Sequence, residues 1–292
     1  MTIPTSADRL QRILATQTDR GAFPSVVFLP DGPVDDENGF VTALVLDALE
    51  AAGETQAVTA ARARALDFLA RCEAPDQPGS FRFYPLGEHP SWMPLPLVPD
   101  ADDTALFSLA LVNGGRWPRA SLAERVLPVL NHFRMAWVSG TARPWHTEGC
   151  HFTWLDPRYV PNDVDLCANV NVATMAWVAN TPTALTSVTA VATMVKRGLD
   201  WAGPSAARAR LLSPYYPSPA ELAHALARAV RLGVAPLRPL WEIARTHPWA
   251  QDEDDAPLCS SDDGRIIWRA PVLREARALA AEENTLTPDC FL

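Results

Sequence analysis

Three aspartates fall within four positions in the stretch PDADDTALFSLALV: Asp100, Asp102 and Asp103, directly ahead of an apolar run that ends at Val112. Carboxyl groups packed this closely have three chemical uses. One oxygen at a helix start can accept from backbone N–H groups that lack an intrahelical partner. Several carboxylates together can ligate a hard divalent cation. In a dehydrated setting, burial and mutual repulsion raise the pKa of at least one member and keep a proton available for transfer. Capping accounts for one or two of the three. A dense acidic cluster facing an apolar interior favours the proton source, and such a cluster titrates as a unit.

The segments that must position these residues are long and rich in Ala and Leu. They include FVTALVLDALEAA, AARARALDFLARC, SLAERVLPVLNHF, NVNVATMAWVAN, AELAHALARAVRL and PVLREARALAAEEN, and their length favours helix over strand. Prolines and glycines fall between them. Strand-like runs such as GRIIWRAP are short and isolated, so the chain reads as all-α.

Four segments repeat one plan, a capping or acidic cluster followed by an apolar helix, starting at Val34, Pro99, Pro161 and Tyr216. The last carries Ser218 as N-cap, Pro219 at the first helical position and Glu221 to close a capping box. Asp100 with Asp103, and Asn162 with Asp165, suit related caps. The four repeat helices are apolar nearly all round, whereas Ala60 to Cys72 and Ser121 to Phe133 are amphipathic. Buried and amphipathic helices in alternation predict a single α/α toroid over residues 1–292, with inner helices ringed by outer ones. If the inner helices run parallel, the acidic clusters converge on one mouth.

Composition sets the outer bounds. The net charge of −9 opposes a surface built for nucleic acid or anionic lipid. No segment approaches the ~20 apolar residues of a membrane span, and the N-terminus lacks the basic-then-apolar pattern of a signal peptide. The five cysteines, Cys72, Cys150, Cys167, Cys259 and Cys290, form no CxxC pair and suit free thiols in a reducing cytoplasm.

Other chemistry-bearing residues are weaker signals. Asp35, Asp36, Glu37 and Asn38 are read as a solvated acidic loop before a Mg²⁺ or Ca²⁺ site. His146, Glu148, Cys150 and His151 lack the spacing of a zinc site. Asp165, with Asn169 one turn further on and Asn171 beyond it, forms a polar stripe that needs partners on a buried helix. Arg82, Arg116, Arg143 and Arg158 are candidate grips for a phosphate.

DADDTA, Asp100 to Ala105, resembles the DxDD motif of class II terpenoid cyclases. ATQTDRGAFPS (Ala15 to Ser25) and ARCEAPDQPGSFRFYP (Ala70 to Pro85) resemble the prenyltransferase and squalene-cyclase repeat. The resemblance implies an α/α toroid that cyclises an isoprenoid by protonation, with Asp102 as the acid and Asp100 and Asp103 orienting it. The cation so formed needs aromatic faces, for which Trp92, Trp145, Trp154 and Trp177 are the candidates. No cofactor is needed for protonation; Mg²⁺ enters if the substrate carries a diphosphate. Members of the family commonly place the chamber between two toroid-like domains, so a chain with length for one leaves room for a partner subunit or a homo-oligomer. A toroid hydrolase or lyase using paired carboxylates such as Asp102 and Asp165, and a non-catalytic toroid that holds a hydrophobic ligand, are the alternatives.

Overall fold

The computed structural model describes residues 5–251, 253 and 255–286, without the side chains of 283–286. Eleven α-helices are described: α1 Ser6–Ala15, α2 Gly39–Ala48, α3 Gln56–Arg71, α4 Ala101–Asn113, α5 Leu127–His132, α6 Leu166–Ala179, α7 Pro182–Ala202, α8 Ala206–Ala209, α9 Ala220–Arg231, α10 Arg238–Ala244 and α11 Pro271–Leu286. A single π-turn over Leu122–Val126 leads into α5, where Pro128 has no N–H to extend the regular ladder.

The helices form an α/α toroid. The inner set is α2, α4, α6 and α9: α4 packs on α2 and α6, and α6 on α9. Arg228 of α9 reaches Asp47 of α2 at 3.1 Å and closes the ring. Helix α11 lies against α2 and is tied to α9 by a two-pronged Arg277–Glu221 ion pair, both bonds 2.7 Å. Outside, α3 covers α2 and α4, α7 covers α6, α10 covers α9, and α1 covers α11. The sequence pattern explains this division. Nearly every residue of α2, α4 and α6 is buried, while α3 and α7 keep one exposed polar face. Close approach of α2 to α4 depends on Gly39, where a Cβ would stand 2.5 Å from the Phe107 ring.

The chain is not purely helical. Strands β1 Ser25–Leu29, β2 Gly32–Asp36, β3 Cys259–Ser260 and β4 Ile267–Arg269 form an antiparallel sheet in the order β2-β1-β4-β3. The run GRIIWRAP is therefore not isolated. Its strand β4 pairs with β1, more than two hundred residues earlier, a contact no local pattern reveals. Asp35 and Asp36, expected in a solvated loop, belong to β2, and Asp36 is buried. Helix α9 begins later than its sequence signal suggests. Pro219 occupies the cap position, and Glu221 is engaged by Arg277.

Candidate functional site

The N-termini of α2, α4 and α6 open on one side of the ring, where a cavity of about 180 Å³ is lined from all three. Helix α2 contributes Phe40, α4 contributes Asp102 and Asp103 with their cap Asp100, and α6 contributes Ala168 and its cap Asp165. Tyr215 and Tyr216, just ahead of α9, complete the arc. The β3–β4 hairpin, Cys259 to Trp268, forms the far wall. The convergence expected of parallel inner helices is the arrangement found.

Each aspartate has its own bonding. Asp100 caps α4, its Oδ1 accepting from the Asp103 backbone N–H at 2.8 Å. Asp102 accepts from Asn171 Nδ2 at 2.6 Å on Oδ1 and from the Tyr216 hydroxyl on Oδ2. Asn171 is held in turn by Arg228, whose Nη1 donates to its Oδ1 at 2.6 Å. Asp103 Oδ2 is buried with no hydrogen-bond partner in the protein, as is the Thr153 hydroxyl; both residues line the cavity. Asp165 caps α6, Oδ1 accepting from the Ala168 N–H at 3.0 Å.

Burial raises every pKa in this group. Asp100 is pushed up to about 7, first by desolvation and then by the Asp102 charge, against hydrogen bonds that pull it down. Asp103 lies well above the usual carboxylate range, because burial and the neighbouring Asp100 both oppose its ionisation. Asp102 is also raised by burial, with Tyr216 and Asn171 pulling the other way. Asp165 is pushed up to about 7, again mainly by burial. Helix N-termini favour carboxylate; here the dry setting outweighs them.

Around the acids stands an aromatic wall. Trp92, Trp268, Phe83, Phe40 and Tyr216 follow one another with successive ring centroids 5.6–6.1 Å apart. On the other side Trp154 stacks on Tyr159 at 4.9 Å and donates from Nε1 to the Tyr215 hydroxyl at 2.7 Å. Asn162 brackets the Trp154 backbone on both sides, its Oδ1 3.0 Å from the N–H and its Nδ2 2.7 Å from the carbonyl. That bracketing is its role here, since Asp165 alone caps α6.

Of the aromatic candidates, Trp92 and Trp154 line the cavity, and Trp145 and Trp177 do not. Trp145 is fully buried in the core, its ring 4.6 Å from that of Trp201 on α7. Trp177 sits in the last turn of α6, at the end of the helix away from the acids. Asn169 also turns elsewhere: its amide pairs with the His151 backbone, at 2.8 Å and 3.0 Å, and fixes the loop. Arg143 is exposed and outside the lining. The buried Arg82 and the exposed Arg158 are outside it too, each paired with an aspartate, at 2.7 Å and 2.6 Å. Arg116 lines a different cavity at the opposite end of the ring.

Among the described residues no three His, Cys, Asp or Glu side chains come together to hold a metal ion. His146 to His151 is accordingly a loop; His151 is buried and its pKa pulled down to about 4, which keeps its imidazole neutral. Cys72, Cys150, Cys167 and Cys259 are buried free thiols, and Cys290 lies outside the described residues. No described helix is long and apolar enough to cross a membrane.

Phe40, Phe83, Tyr159, Tyr215, Tyr216, Trp268 and Arg228 are among the site residues that sequence reasoning missed. The tyrosine pair had a usable signal, since Tyr216 opens the fourth repeat in the place the aspartates hold in the second. Arg228 had none, being one of many arginines on an amphipathic helix.

No family model and no curated protein matches the chain. Among solved structures it is similar to a variant of the type II terpene cyclase MstE from Scytonema, in complex with geranylgeranyl dihydroxybenzoate. The two share 15% identity and a TM-score of 0.46 over 95% of each chain. A likeness this distant leaves the chemistry to be read from this chain's own side chains.

Proposed function

We propose that the protein is a class II-type terpenoid cyclase that starts cyclisation by proton transfer from Asp102. The observation that carries this reading is the bonding of one buried carboxyl at the end of an aromatic cavity. In the protonated acid, Oδ1 accepts from Asn171, and Oδ2 accepts from Tyr216 while its own proton is free to point into the cavity. Before transfer, desolvation keeps that proton in place. After transfer, the two donors already stand against the new carboxylate, which lowers the barrier without reorganisation.

The proton passes from Oδ2 to one carbon of an alkene, whose π pair forms the new C–H bond and leaves a carbocation on its neighbour. A second alkene in the same chain supplies the pair for each new C–C bond. The ring faces of Phe40, Phe83, Trp92, Trp154 and Trp268 stabilise the migrating charge. Loss of a proton from the final cation regenerates an alkene, so substrate and product are isomers. Asp165, with a pKa of about 7, is partly ionised at neutral pH and lines the same cavity to take that proton. The aromatic walls favour this over an open polar groove for a sugar, although Asp102 and Asp165 influence each other's charge.

The test is gas chromatography–mass spectrometry of isoprenoids incubated with the wild type and Asp102→Asn in D₂O. The wild type is expected to yield a cyclic isomer one mass unit heavier, with deuterium at the initiating carbon, and Asp102→Asn to yield about a hundredfold less or lower still. Turnover by Asp102→Asn at the wild-type rate removes the proton-donor role.

A further inference from the structure

The charge of the cavity wall bears on the substrate. Five aspartates line it: Asp100, Asp102, Asp103, Asp165 and, at the rim, Asp262. None of the 25 lysine and arginine side chains of the protein does, and all 25 belong to described residues. Four arginines are next in sequence to lining residues. Arg82, beside Phe83, pairs with Asp76 at 2.7 Å, Arg158, beside Tyr159, pairs with Asp156 at 2.6 Å, Arg265, beside Ile266, stands 3.4 Å from Asp263, and Arg269, beside Trp268, lies over the Phe28 ring at 4.6 Å. A diphosphate brought here would give up hydration in a partly dehydrated cleft, with no lining guanidinium or ammonium to receive it. A bridging Mg²⁺ finds no three-ligand carboxylate set to seat it among the described residues.

Size and polarity point the same way. At about 180 Å³ the cavity is little larger than a dry, apolar one of ~150 Å³ that holds benzene. It therefore encloses a compact hydrocarbon segment rather than a folded C20 chain. Apart from the five aspartates, Thr153, Ser260 and Ser261, the lining is aromatic or apolar.

Resting on the cyclase reading above, we propose that this site takes an uncharged isoprenoid, as hydrocarbon, alcohol or epoxide, and rejects prenyl diphosphates and isoprenoid carboxylates. Selection is made by the lack of a lining cation rather than by chain length alone. No metal is then required for binding.

The experiment is titration of the whole protein with farnesol and with farnesyl diphosphate, followed by quenching of tryptophan fluorescence, in Mg²⁺ and in EDTA. Farnesol is expected to bind on the order of tenfold or more tightly, because the diphosphate loses hydration there with no cation to replace it. Asp262→Arg, a rim substitution remote from the buried acids, is expected to narrow the gap by improving diphosphate binding. Equal or tighter binding of the diphosphate by the wild type, or no binding of farnesol, overturns the proposal. The cyclase reading fails separately. Farnesol bound but never cyclised counts against cyclisation and leaves the charge selectivity standing. A cyclic diphosphate product overturns the selectivity and leaves the cyclase.

Discussion

The two ends of the toroid hold their carboxylates in opposite company. At the end away from the acids' helix starts, Asp47 meets Arg228 and Arg231, Glu50 meets Arg231, and Glu54 meets Arg62. Asp47, Glu50, Glu54, Arg62 and Arg228 line a cavity of about 460 Å³, larger than the one at the helix N-termini. At the N-terminal end, Asp100, Asp102, Asp103 and Asp165 face aromatic rings, hydroxyls and amides, with the nearest cation, Arg228, one residue removed behind Asn171. Charge that is paired holds helices together. Charge that is buried without a cation keeps its proton and can give it away. Cavity volume ranks the two ends the wrong way round; the company of the carboxylates ranks them by chemistry.

The sharpest way to break that contrast is to remove the proton and nothing else. Asp102→Asn keeps the shape and lets an amide oxygen accept from Asn171. Product formation is expected to fall by about 10²–10⁴, the range for loss of a general acid. The melting temperature is expected to hold or rise, because a group whose ionised form is disfavoured by burial has been replaced by a neutral one. A fall in melting temperature with activity retained would make Asp102 a structural residue like Asp47.

Arg228 belongs to both ends, bonding Asp47 with Nε and Asn171 with Nη1. Arg228→Met is expected to destabilise by about 3–5 kcal/mol, the range for removing one member of a buried pair. Denaturant unfolding measures this. The same variant frees Asn171 to rotate, so what activity remains is expected to be lower than the wild type's in the folded fraction. Unchanged stability would mean that Arg231 alone suffices for Asp47.

A pH series separates the two ends by sign. Asp165 has a folded pKa of about 7, above the ordinary carboxylate value of 3.8. The folded state therefore binds this proton more tightly than the unfolded state. Its contribution to stability is fully present below pH ~4 and is lost as pH rises through about 7. A shift of that size has a ceiling of roughly 4 kcal/mol, and water entering the half-open cavity brings the expected effect nearer 2 kcal/mol. Asp165→Asn retains a capping side chain and is expected to leave stability unchanged at pH 4 and raise it at pH 8. Asp47→Asn, which loses an ion pair, is expected to destabilise at pH 8. Cyclisation by the wild type is expected to decline on the alkaline side as Asp100, raised to about 7, ionises beside Asp102 and makes it a weaker acid.

Local signals carried much of this. The apolar runs of α2, α4 and α6 are buried because no face of them is polar, and the caps at Asp100 and Asp165 follow from residue type and position. What lay outside local reach were partners across the ring. Asn171 stood out as a polar residue on a buried helix, but that its amide would meet Asp102, 69 residues earlier in the chain, depends on the angle between α4 and α6. The sheet was missed for the same reason: β4 has only three residues, and β1, its long-range partner, lies at the other end of the chain. The tryptophans show the limit most plainly. Trp145 and Trp154 share one Pro-rich stretch, yet one enters the core and the other the cavity.

That pair supplies the smallest expected effect. Trp154 donates to Tyr215 and lines the cavity, so Trp154→Phe removes a hydrogen bond and reshapes the space in which the cation moves. A changed product ratio is expected. Trp145 touches no part of the cavity, and its Nε1 is buried without an acceptor. Trp145→Phe removes ring volume, which destabilises through the space left behind. It also removes an unsatisfied donor, whose burial is itself unfavourable. The two terms oppose each other, so the net change is expected to lie within about 1 kcal/mol of zero, read from denaturant midpoints. The product ratio is expected to match the wild type's. A shifted ratio in Trp145→Phe would show that the cavity is shaped from the outer layer of helices as well as from the inner ring, and the division between core and site aromatics would have to be redrawn one layer further out.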